Sequence, residues 1–496
     1  MAAQALESIE CSLQPLDLAF HPTKNILAAA LVDGTVEFHD FTSRFTPPTA
    51  LGYAQGSGAD KAAEDDDEDE DDTILSSIDV HTSEKPKYKM KSSTVQANAA
   101  PSCKAVLFDA YNNGQNLYTA GNGGTIACLD VDRASSYNTS DNSILWKEDN
   151  ASPYGINILH QLPNTCPAGP LLVSGDDEGV IRLWDVRLCG GSNSTSSAIG
   201  QTKTGLDNLM QLPKGCVASF HENKDYISGF AVDTNGTTLL SSSADGTLSV
   251  IDLRKNSNSS NNNNGDKGKP GPLKSVVKSG PFHFIRKSDD QEDELLSLCL
   301  LKGGRKVVCG TQDGILSVWS WGTWGDISDR FPGHPQSIDA LLKIDEDTIL
   351  TGCSDGVVRI VQIHPDRLLG VLGDHDGFPV EKLKFSSEKK LVGSVSHDTS
   401  IRLWDASILT EEDIDEDDKG DSSMEDTEEA SNNVAMGVAA AHRRNTYDSD
   451  GEWEDMDDSD DDSMSDDSDD SDDEMDTKRG KPSKFKTENE QFFQDL

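Results

Sequence analysis

Long apolar runs and paired cysteines are missing from this chain of 496 residues. The longest apolar run covers residues 26–32, whereas about 20 residues are needed to span a bilayer, so we expect no membrane segment. The nine cysteines are scattered, and none stands in a CxxC pair, which argues against a disulfide framework and a zinc site. The N-terminus also has no signal-peptide pattern. These absences favour a soluble protein of a reducing intracellular compartment.

Signatures of catalysis are absent as well. The chain has no GxxxxGK[ST] phosphate loop, no HExxH metal motif and no GxSxG nucleophile turn. The glycine-rich GNGG at residues 121–124 belongs to a predicted hairpin and does not precede a helix. We therefore predict a protein that is not an enzyme and that uses no cofactor and no metal.

Positive charge is scarce, and most of the excess negative charge lies in two tracts. The chain has 43 Lys and Arg against 88 Asp and Glu, a net charge of −45. Residues 64–72 carry nine acids and no base, and residues 411–476 carry 30 acids against three bases. These tracts hold 36 of the 45 net negative charges, so the remaining chain is nearly balanced. Acidic segments with few β-branched residues stay disordered, repel nucleic acid and attract basic proteins.

A turn-and-strand frame of eight residues recurs seven times in the chain. Asp-Gly supplies the positive φ of a tight hairpin, and the following residues alternate between apolar and polar. The last copies start 42 and 43 residues apart, a period typical of four-stranded propeller blades. The frames are DGTVEFHD (33–40), GGTIACLD (123–130), EGVIRLWD (178–185), DGTLSVID (245–252), DGILSVWS (313–320), DGVVRIVQ (355–362) and DTSIRLWD (398–405).

The spacing of the frames predicts the domain organisation. We expect a seven-bladed propeller over residues 1–408, in which residues 5–12 supply the missing fourth strand of the last blade and close the ring. Disordered insertions are predicted at about 45–85, 190–205 and 256–272. An acidic, Ser/Asp-rich disordered tail follows at 409–477, and a basic segment ending in FFQDL occupies 478–496.

The frames resemble the WD-repeat pattern, which makes the expected fold an all-β, seven-bladed WD-repeat β-propeller. The resemblance implies a buried network in each blade, made by a His before the first strand, a Ser or Thr on the second, the turn Asp and the Trp of the frame. In the last blade these residues are His375, Ser396, Asp398 and Trp404. Their expected role is to stabilise the fold.

Two segments resemble the box with which some WD-repeat proteins dock on the damaged-DNA-binding adaptor of cullin-four ubiquitin ligases. They are LVSGDDEGVIRLWDVR (172–187) and LLSSSADGTLSVIDLR (239–254). The first has Asp176 where a small residue is usual, and the second has Ile251 in place of Trp. The simpler alternative is that each arginine only pairs with a neighbouring aspartate. The docking residues implied by the resemblance are Trp184, Asp185, Arg187, Asp252 and Arg254.

The C-terminal region carries two kinds of short signal. Four serines have an acid three residues later, the preference of casein-kinase-two-type enzymes, and phosphorylation would add negative charge there. These serines are Ser449, Ser459, Ser463 and Ser471. The basic run KRGKPSKFK (478–486) is a candidate nuclear or nucleolar signal. Its basic residues are Lys478, Arg479, Lys481, Lys484 and Lys486.

Longer stretches resemble the WD repeat-containing protein fifty-five family of nucleolar proteins. Among them are SCKAVLFDAYNNGQNLYTAG (102–121), GDDEGVIRLWDVR (175–187), SDRFPGHPQSIDALL (328–342) and SDGVVRIVQIHPDRLLGVLGDH (354–375). The acidic tail, basic patch and final FFQDL fit as well, whereas the acidic loop at 64 and the asparagine-rich insertion depart from the family pattern.

The resemblance implies a non-enzymatic scaffold of ribosome biogenesis, located in the nucleus and nucleolus with the cytoplasm as a further location. Its expected partners are proteins of pre-ribosomal particles or rRNA processing, with basic proteins on the acidic tail. We expect a monomer that acts within larger complexes and leave direct RNA contact open. The alternatives are a substrate receptor of a cullin-four ligase and, third, a histone-binding chaperone.

Overall fold

The structure is a computed structural model that describes residues 5–42, 74–85, 101–136, 143–190, 212–254 and 282–410. Within these ranges the chain forms 28 β-strands, two one-turn α-helices, α1 (Val131–Ala134) and α2 (Ser407–Thr410), and two 3-10 turns, Ala110–Asn112 and Val186–Leu188. In the same ranges, neither helix has the length of a membrane-spanning segment. The acidic tail was predicted from residue 409, but residues 409 and 410 end α2. The rest of the tail, from 411 onward, and the basic segment lie outside the described residues.

The strands form seven antiparallel sheets of four strands each, which are the blades of a β-propeller. Blade one contains β2 (Pro15–Phe20), β3 (Ile26–Leu31), β4 (Thr35–Asp40) and β5 (Ile74–Asp79). Blade two contains β6 (Cys103–Phe108), β7 (Asn116–Gly121), β8 (Ile126–Asp130) and β9 (Ile144–Glu148). Blade three contains β10 (Ile156–Gln161), β11 (Leu172–Asp176), β12 (Ile181–Trp184) and β13 (Cys216–Phe220). Blade four contains β14 (Ile227–Val232), β15 (Thr238–Ser243), β16 (Thr247–Asp252) and β17 (His283–Lys287).

The remaining blades follow the same order. Blade five contains β18 (Leu295–Leu301), β19 (Lys306–Thr311), β20 (Ile315–Ser320) and β21 (Asp329–Pro332). Blade six contains β22 (Ile338–Lys343), β23 (Thr348–Cys353), β24 (Val357–Gln362) and β25 (Arg367–Asp374). Blade seven contains β26 (Val380–Phe385), β27 (Leu391–Ser396), β28 (Ser400–Asp405) and the N-terminal strand β1 (Ala5–Glu10). We call one end of each blade the upper end. It carries the turn between the second and third strands and the connections to the neighbouring blades. The lower end carries the loops between the first and second strands and between the third and fourth strands.

The ring is closed by the N-terminal strand, as the sequence predicts. Strand β1 pairs antiparallel with β28, and Ile9 stands opposite Ile401. After β1 the backbone N–H of Cys11 donates to the carbonyl of Thr399 at 2.9 Å. Both ends of the propeller chain therefore share one sheet, and β1 covers the edge of β28.

The apolar core is divided among the boundaries between neighbouring blades. Within the described ranges there are seven buried clusters, and each joins residues of two adjacent blades. At the closure, Ile9 and Ile401 of blade seven pack with Leu18 and Leu27 of blade one. Because a blade buries its faces only against its neighbours, the ring is one cooperative unit.

The repeated frame builds the same local geometry in each blade. Its second residue is often a glycine with positive φ, such as Gly34 at +94°. A Cβ at Gly34 would lie 2.7 Å from the carbonyl carbon of His81, so a side chain there would collide with the next connection. Each innermost strand also has a register shift near its start, for example between Val380 and Lys382, which bends the strand where the central channel opens.

One predicted insertion is shorter than expected. Residues 74–85 were assigned to the disordered insertion at 45–85, but 74–79 form β5 and pair with β4. The alternating burial of Ser76 and Ile78 explains the strand, because both side chains face the blade interior. Residues 43–73 lie outside the described residues, as do 191–211 and 255–281, which cover nearly all of the other two predicted insertions.

Candidate functional site

The buried network of blade seven is made by residues on three elements. His375 lies in the connection before β26, and its Nε2 is 2.6 Å from the hydroxyl of Ser394 on β27. The indole Nε1–H of Trp404 donates to the same hydroxyl at 2.8 Å. The serine of the network is therefore Ser394, and the prediction of Ser396 was wrong by two residues. Side chains two apart on a strand share a face, so the pattern placed the hydroxyl one step too close to the turn.

The buried network favours the neutral form of its histidine. Burial lowers the pKa of His375, despite the neighbouring carboxylate of Asp398. Nδ1 of His375 is 3.6 Å from Oδ2 of Asp398, which is too long for a hydrogen bond. Asp398 instead accepts from the backbone and hydroxyl of Ser400 and shapes the turn. A Ser, a His and an Asp thus meet here in structural roles and form no nucleophile–base relay.

Other blades keep parts of this network. Trp184 Nε1–H donates to the Ser174 hydroxyl at 2.9 Å in blade three. In blade six His334 Nε2 is 3.0 Å from the Thr351 hydroxyl, and burial lowers the pKa of this histidine to about 4. The network is therefore a feature of the repeat that stabilises individual blades.

Blade two has a network that the sequence analysis missed. His81 Nε2 is 3.0 Å from the Thr119 hydroxyl, and its Nδ1 is 2.6 Å from Glu84 Oε1. Glu84 also accepts from Lys147 at 2.8 Å and from Thr125. Burial alone would raise the pKa of Glu84, but these hydrogen bonds and charges outweigh it and lower that pKa to about 2. The signal in the sequence was His81 before the first strand, hidden because residues 45–85 were taken as one insertion.

The two predicted docking arginines have matching geometries on adjacent blades. Arg187 follows β12, and its Nε and Nη2 donate to the two carboxylate oxygens of Asp185 at 2.8 and 2.7 Å. Arg254 follows β16 and donates to Asp252 in the same way, at 2.9 and 2.7 Å. The arginine side chains are 72% and 68% exposed. Each arginine thus pairs with a neighbouring aspartate, as the simpler alternative predicts, and the two guanidinium groups stand at the lower ends of neighbouring blades.

Trp184, which was also predicted to take part in docking, does not lie at the surface with Asp185 and Arg187. Its side chain is buried in the core between blades two and three, while Asp185 lies at the surface end of β12. Of the five predicted docking residues, the structure brings the two Asp–Arg pairs to the surface and places Trp184 in the blade network.

The outer strand of blade six is an exposed apolar edge. β25 has eight residues and is the outermost strand of its sheet. Leu368, Leu369 and Val371 on this strand are 48%, 53% and 37% exposed. Outer strands offer unpaired backbone groups to a partner, and apolar side chains add a dehydration driving force. Among the described residues this is the densest group of exposed large apolar side chains.

The central channel is polar at its upper mouth and is lined by both polar and apolar side chains below it. A cavity of about 240 Å³ at the mouth is lined by Lys104, Asp177 and Asp339, among others. Lys104 donates to Asn157 at 2.8 Å and lies 3.5 Å from Asp177, and burial raises the pKa of Asp177. A second cavity of about 350 Å³ includes Phe20, Phe230, Leu298 and Phe385. The channel can accept a small amphipathic group.

The predicted phosphorylation serines and the basic nuclear signal lie outside the described residues. Ser449, Ser459, Ser463, Ser471 and the lysines and arginine of 478–486 therefore stay predictions.

Comparison with known proteins agrees with this architecture. The family model described as "WD domain, G-beta repeat" matches residues 162–185, 214–252 and 366–405. The crystal structure of Chaetomium thermophilum Raptor aligns with a TM-score of 0.52 at 14% identity, over 81% of this chain and 29% of that chain. That likeness concerns the fold alone. The fold and its networks thus define a WD-repeat β-propeller protein.

Similar sequences identify the family more narrowly than the repeat model does. WD repeat-containing protein 55 of Arabidopsis thaliana is 30% identical over 404 residues, which are 81% of this chain and 83% of the relative. WD repeat-containing protein JIP5 of Cryptococcus neoformans is 31% identical over 403 residues, 81% of this chain and 82% of the relative. The mouse WD repeat-containing protein 55 is 27% identical over 399 residues, 79% of this chain and 73% of the relative. The chain belongs to the family of WD repeat-containing protein 55 and JIP5.

Proposed function

We propose that this protein is a non-enzymatic nucleolar scaffold of ribosome biogenesis, which binds protein partners of large-subunit precursors through its propeller. The observation that carries the proposal is the apolar edge of β25. A stable propeller that leaves Leu368, Leu369 and Val371 in water has a surface suited to a protein partner.

The charge distribution of the chain supports the same function. The acidic tract at 411–476 suits basic partners such as ribosomal proteins, and the segment 478–486 provides a nuclear or nucleolar signal. Phosphorylation at Ser449, Ser459, Ser463 or Ser471 would strengthen the attraction for basic partners by adding charge.

The scaffold proposal is tested by sedimentation of the tagged full-length protein from nuclear extract, with its partners identified by mass spectrometry. We expect co-migration with large-subunit precursors and processing factors. Leu368→Glu with Leu369→Glu should move the protein to light fractions. Leu145→Glu, on the outer strand of blade two at a side chain that is 45% exposed, is the matched control and should stay with the precursors. A wild-type protein found only in light fractions would contradict the proposal.

The location is tested separately by the basic segment. Replacing Lys478, Arg479, Lys481, Lys484 and Lys486 with glutamine should disperse the protein from the nucleolus, because the signal depends on their charge. The same number of substitutions among the acids of 411–418 is the control. Unchanged nucleolar location of the glutamine variant would exclude this segment as the signal.

A second function, substrate receptor of a cullin-four ligase, is favoured by the matching Asp185–Arg187 and Asp252–Arg254 pairs. Under this alternative, Arg187→Ala with Arg254→Ala abolishes binding of the adaptor without changing the thermal melt. Arg133→Ala is the control, because Arg133 also follows the third strand of its blade but contacts Asp130 with a different spacing. Recovery of adaptor and cullin without ribosomal precursors would make this the main function.

A further inference from the structure

A cysteine, a glutamate and a histidine meet inside the closure of the ring. Cys11 lies in the connection from β1 to blade one, and Glu37 and His39 lie on β4. The Cys11 Sγ is 3.8 Å from His39 Nε2, which is 3.4 Å from Glu37 Oε2. All three residues are buried, with Cys11 7% exposed, Glu37 1% and His39 0%.

These residues occupy the positions that form the hydrogen-bond network in blade seven. The backbone N–H of Cys11 bonds to Thr399 as that of His375 bonds to Gly356, so Cys11 stands in the histidine position. His39 holds the frame position of Trp404. Ala29 pairs with Glu37 as Ser394 pairs with Arg402, so the network hydroxyl is replaced by a methyl group. Blade one has therefore exchanged the usual set for three side chains that can each ligate a metal.

The charge of the cluster favours a dication. Glu37 Oε2 accepts from the backbone N–H of Ser12 at 3.2 Å, which fixes the carboxylate beside Cys11. A divalent cation would balance one carboxylate and one thiolate, with His39 neutral, at zero net charge.

The distances fit a small tetrahedral ion. Zinc lies about 2.3 Å from sulfur and about 2.0–2.2 Å from nitrogen or oxygen, so two ligand atoms of a tetrahedral site are roughly 3.3–3.6 Å apart. The separations of 3.8 and 3.4 Å are close to these values. Thiolate and imidazole select zinc over the hard cations calcium and magnesium, which require oxygen ligands.

We propose that Cys11, Glu37 and His39 bind a zinc ion that joins the N-terminal connection to β4 and fastens the closure of the propeller. The absence of CxxC pairs argued against a zinc site, but here the fold brings Cys11 to Glu37 and His39, which lie 26 and 28 residues further along the chain. On binding, the Cys11 thiol releases its proton to solvent and its sulfur forms the bond to zinc. A water molecule completes the coordination as the fourth ligand.

The test uses the full-length protein, freed of metal and then titrated with cobalt as a spectroscopic substitute for zinc. The acidic tracts attract cations without a thiol, so the readout is the thiolate-to-cobalt charge-transfer band, which only a cysteine ligand produces. We expect this band at about one cobalt per chain, and its displacement by zinc.

Variants test whether the thiolate-to-cobalt band comes from the Cys11, Glu37 and His39 cluster. Cys11→Ser should abolish it, and Glu37→Gln should weaken cobalt binding at least about tenfold, because ligand loss is costly in a buried site. Cys216→Ser, at a partly exposed cysteine of blade three, should keep the wild-type band. Zinc should raise the melting temperature of the wild type and leave that of Cys11→Ser unchanged. A wild-type protein without the band, or a band that persists in Cys11→Ser, would overturn the proposal.

Discussion

Blades seven and one are neighbours with the same frame and different interiors. Blade seven joins His375 and Trp404 through the hydroxyl of Ser394. Blade one has Ala29 in the hydroxyl position and places His39 beside Cys11 and Glu37. Both blades have the same strand order and the same register shift at the start of the first strand.

The difference shows that the residues of the frame and the residues of the buried network can vary independently of each other. Turn glycines, turn aspartates and alternating apolar residues determine the blade, because they define the hairpin and the faces that stack. The polar residues inside can then change as a set, provided that most buried polar groups keep a partner. Blade one is thus free to carry a different chemistry at the ring closure.

The largest effect is expected from removing the strand that both blades depend on. Deletion of residues 1–12 removes β1, exposes the edge of β28 and removes Ile9 from the core at the closure. We expect a loss of about 5 kcal/mol or more in the free energy of unfolding, measured as a sharp fall of the melting temperature. Deletion of residues 1–4 alone, which precede β1, is the control. An unchanged melt of the longer deletion would refute closure by β1.

The next effect concerns the carboxylate network of blade two. The pKa of Glu84 is lowered from 4.5 to about 2, so its stabilising contribution is present above pH 4.5 and is lost as the pH falls toward about 2. At neutral pH this shift corresponds to about 3 kcal/mol. Glu84→Gln should therefore destabilise strongly at pH 7, and the difference from wild type should shrink as the pH approaches about 3. Denaturant unfolding at several pH values measures this difference in the free energy of unfolding.

The control for this pH series is Glu388→Gln. Glu388 is 70% exposed and pairs with Lys390 at the surface, so this change should leave stability nearly unaltered at every pH. If Glu84→Gln and wild type followed parallel curves from neutral to acidic pH, the Glu84 carboxylate would have no special role in the network.

Most of the fold followed from the sequence because its signals are local and repeated. Frames such as 355–362 and 398–405 predicted the hairpins, and the shortage of a fourth strand after Asp405 predicted closure by the N-terminus. β5 was missed since the acidic run before it dominates the composition of residues 45–85. A strand of six residues needs only a few apolar positions and is easily hidden by its flanks.

The contacts between distant residues were less predictable. The sequence indicated two matching Asp–Arg pairs, but only the structure shows that each arginine binds its own aspartate with two nitrogens. Cys11 and His39 are 28 residues apart, and their approach depends on the closure by β1. Patterns along one strand predict which face a side chain takes, whereas the partner across a blade depends on register.

The smallest predicted effect distinguishes two serines on one strand. Ser394→Ala should cost about 2 kcal/mol, because the buried donors of Trp404 and His375 lose their shared hydroxyl. Ser396→Ala should be nearly neutral or slightly stabilising, since its buried hydroxyl has no hydrogen-bond partner in the described part of the chain. Thermal and denaturant unfolding of both variants measures the difference. An alanine is native at the equivalent position of blade one, but His39 replaces the tryptophan there, so Ser394→Ala should become less costly when combined with Trp404→His. Equal losses for the two serine variants would return Ser396 to the network and contradict the assignment of Ser394.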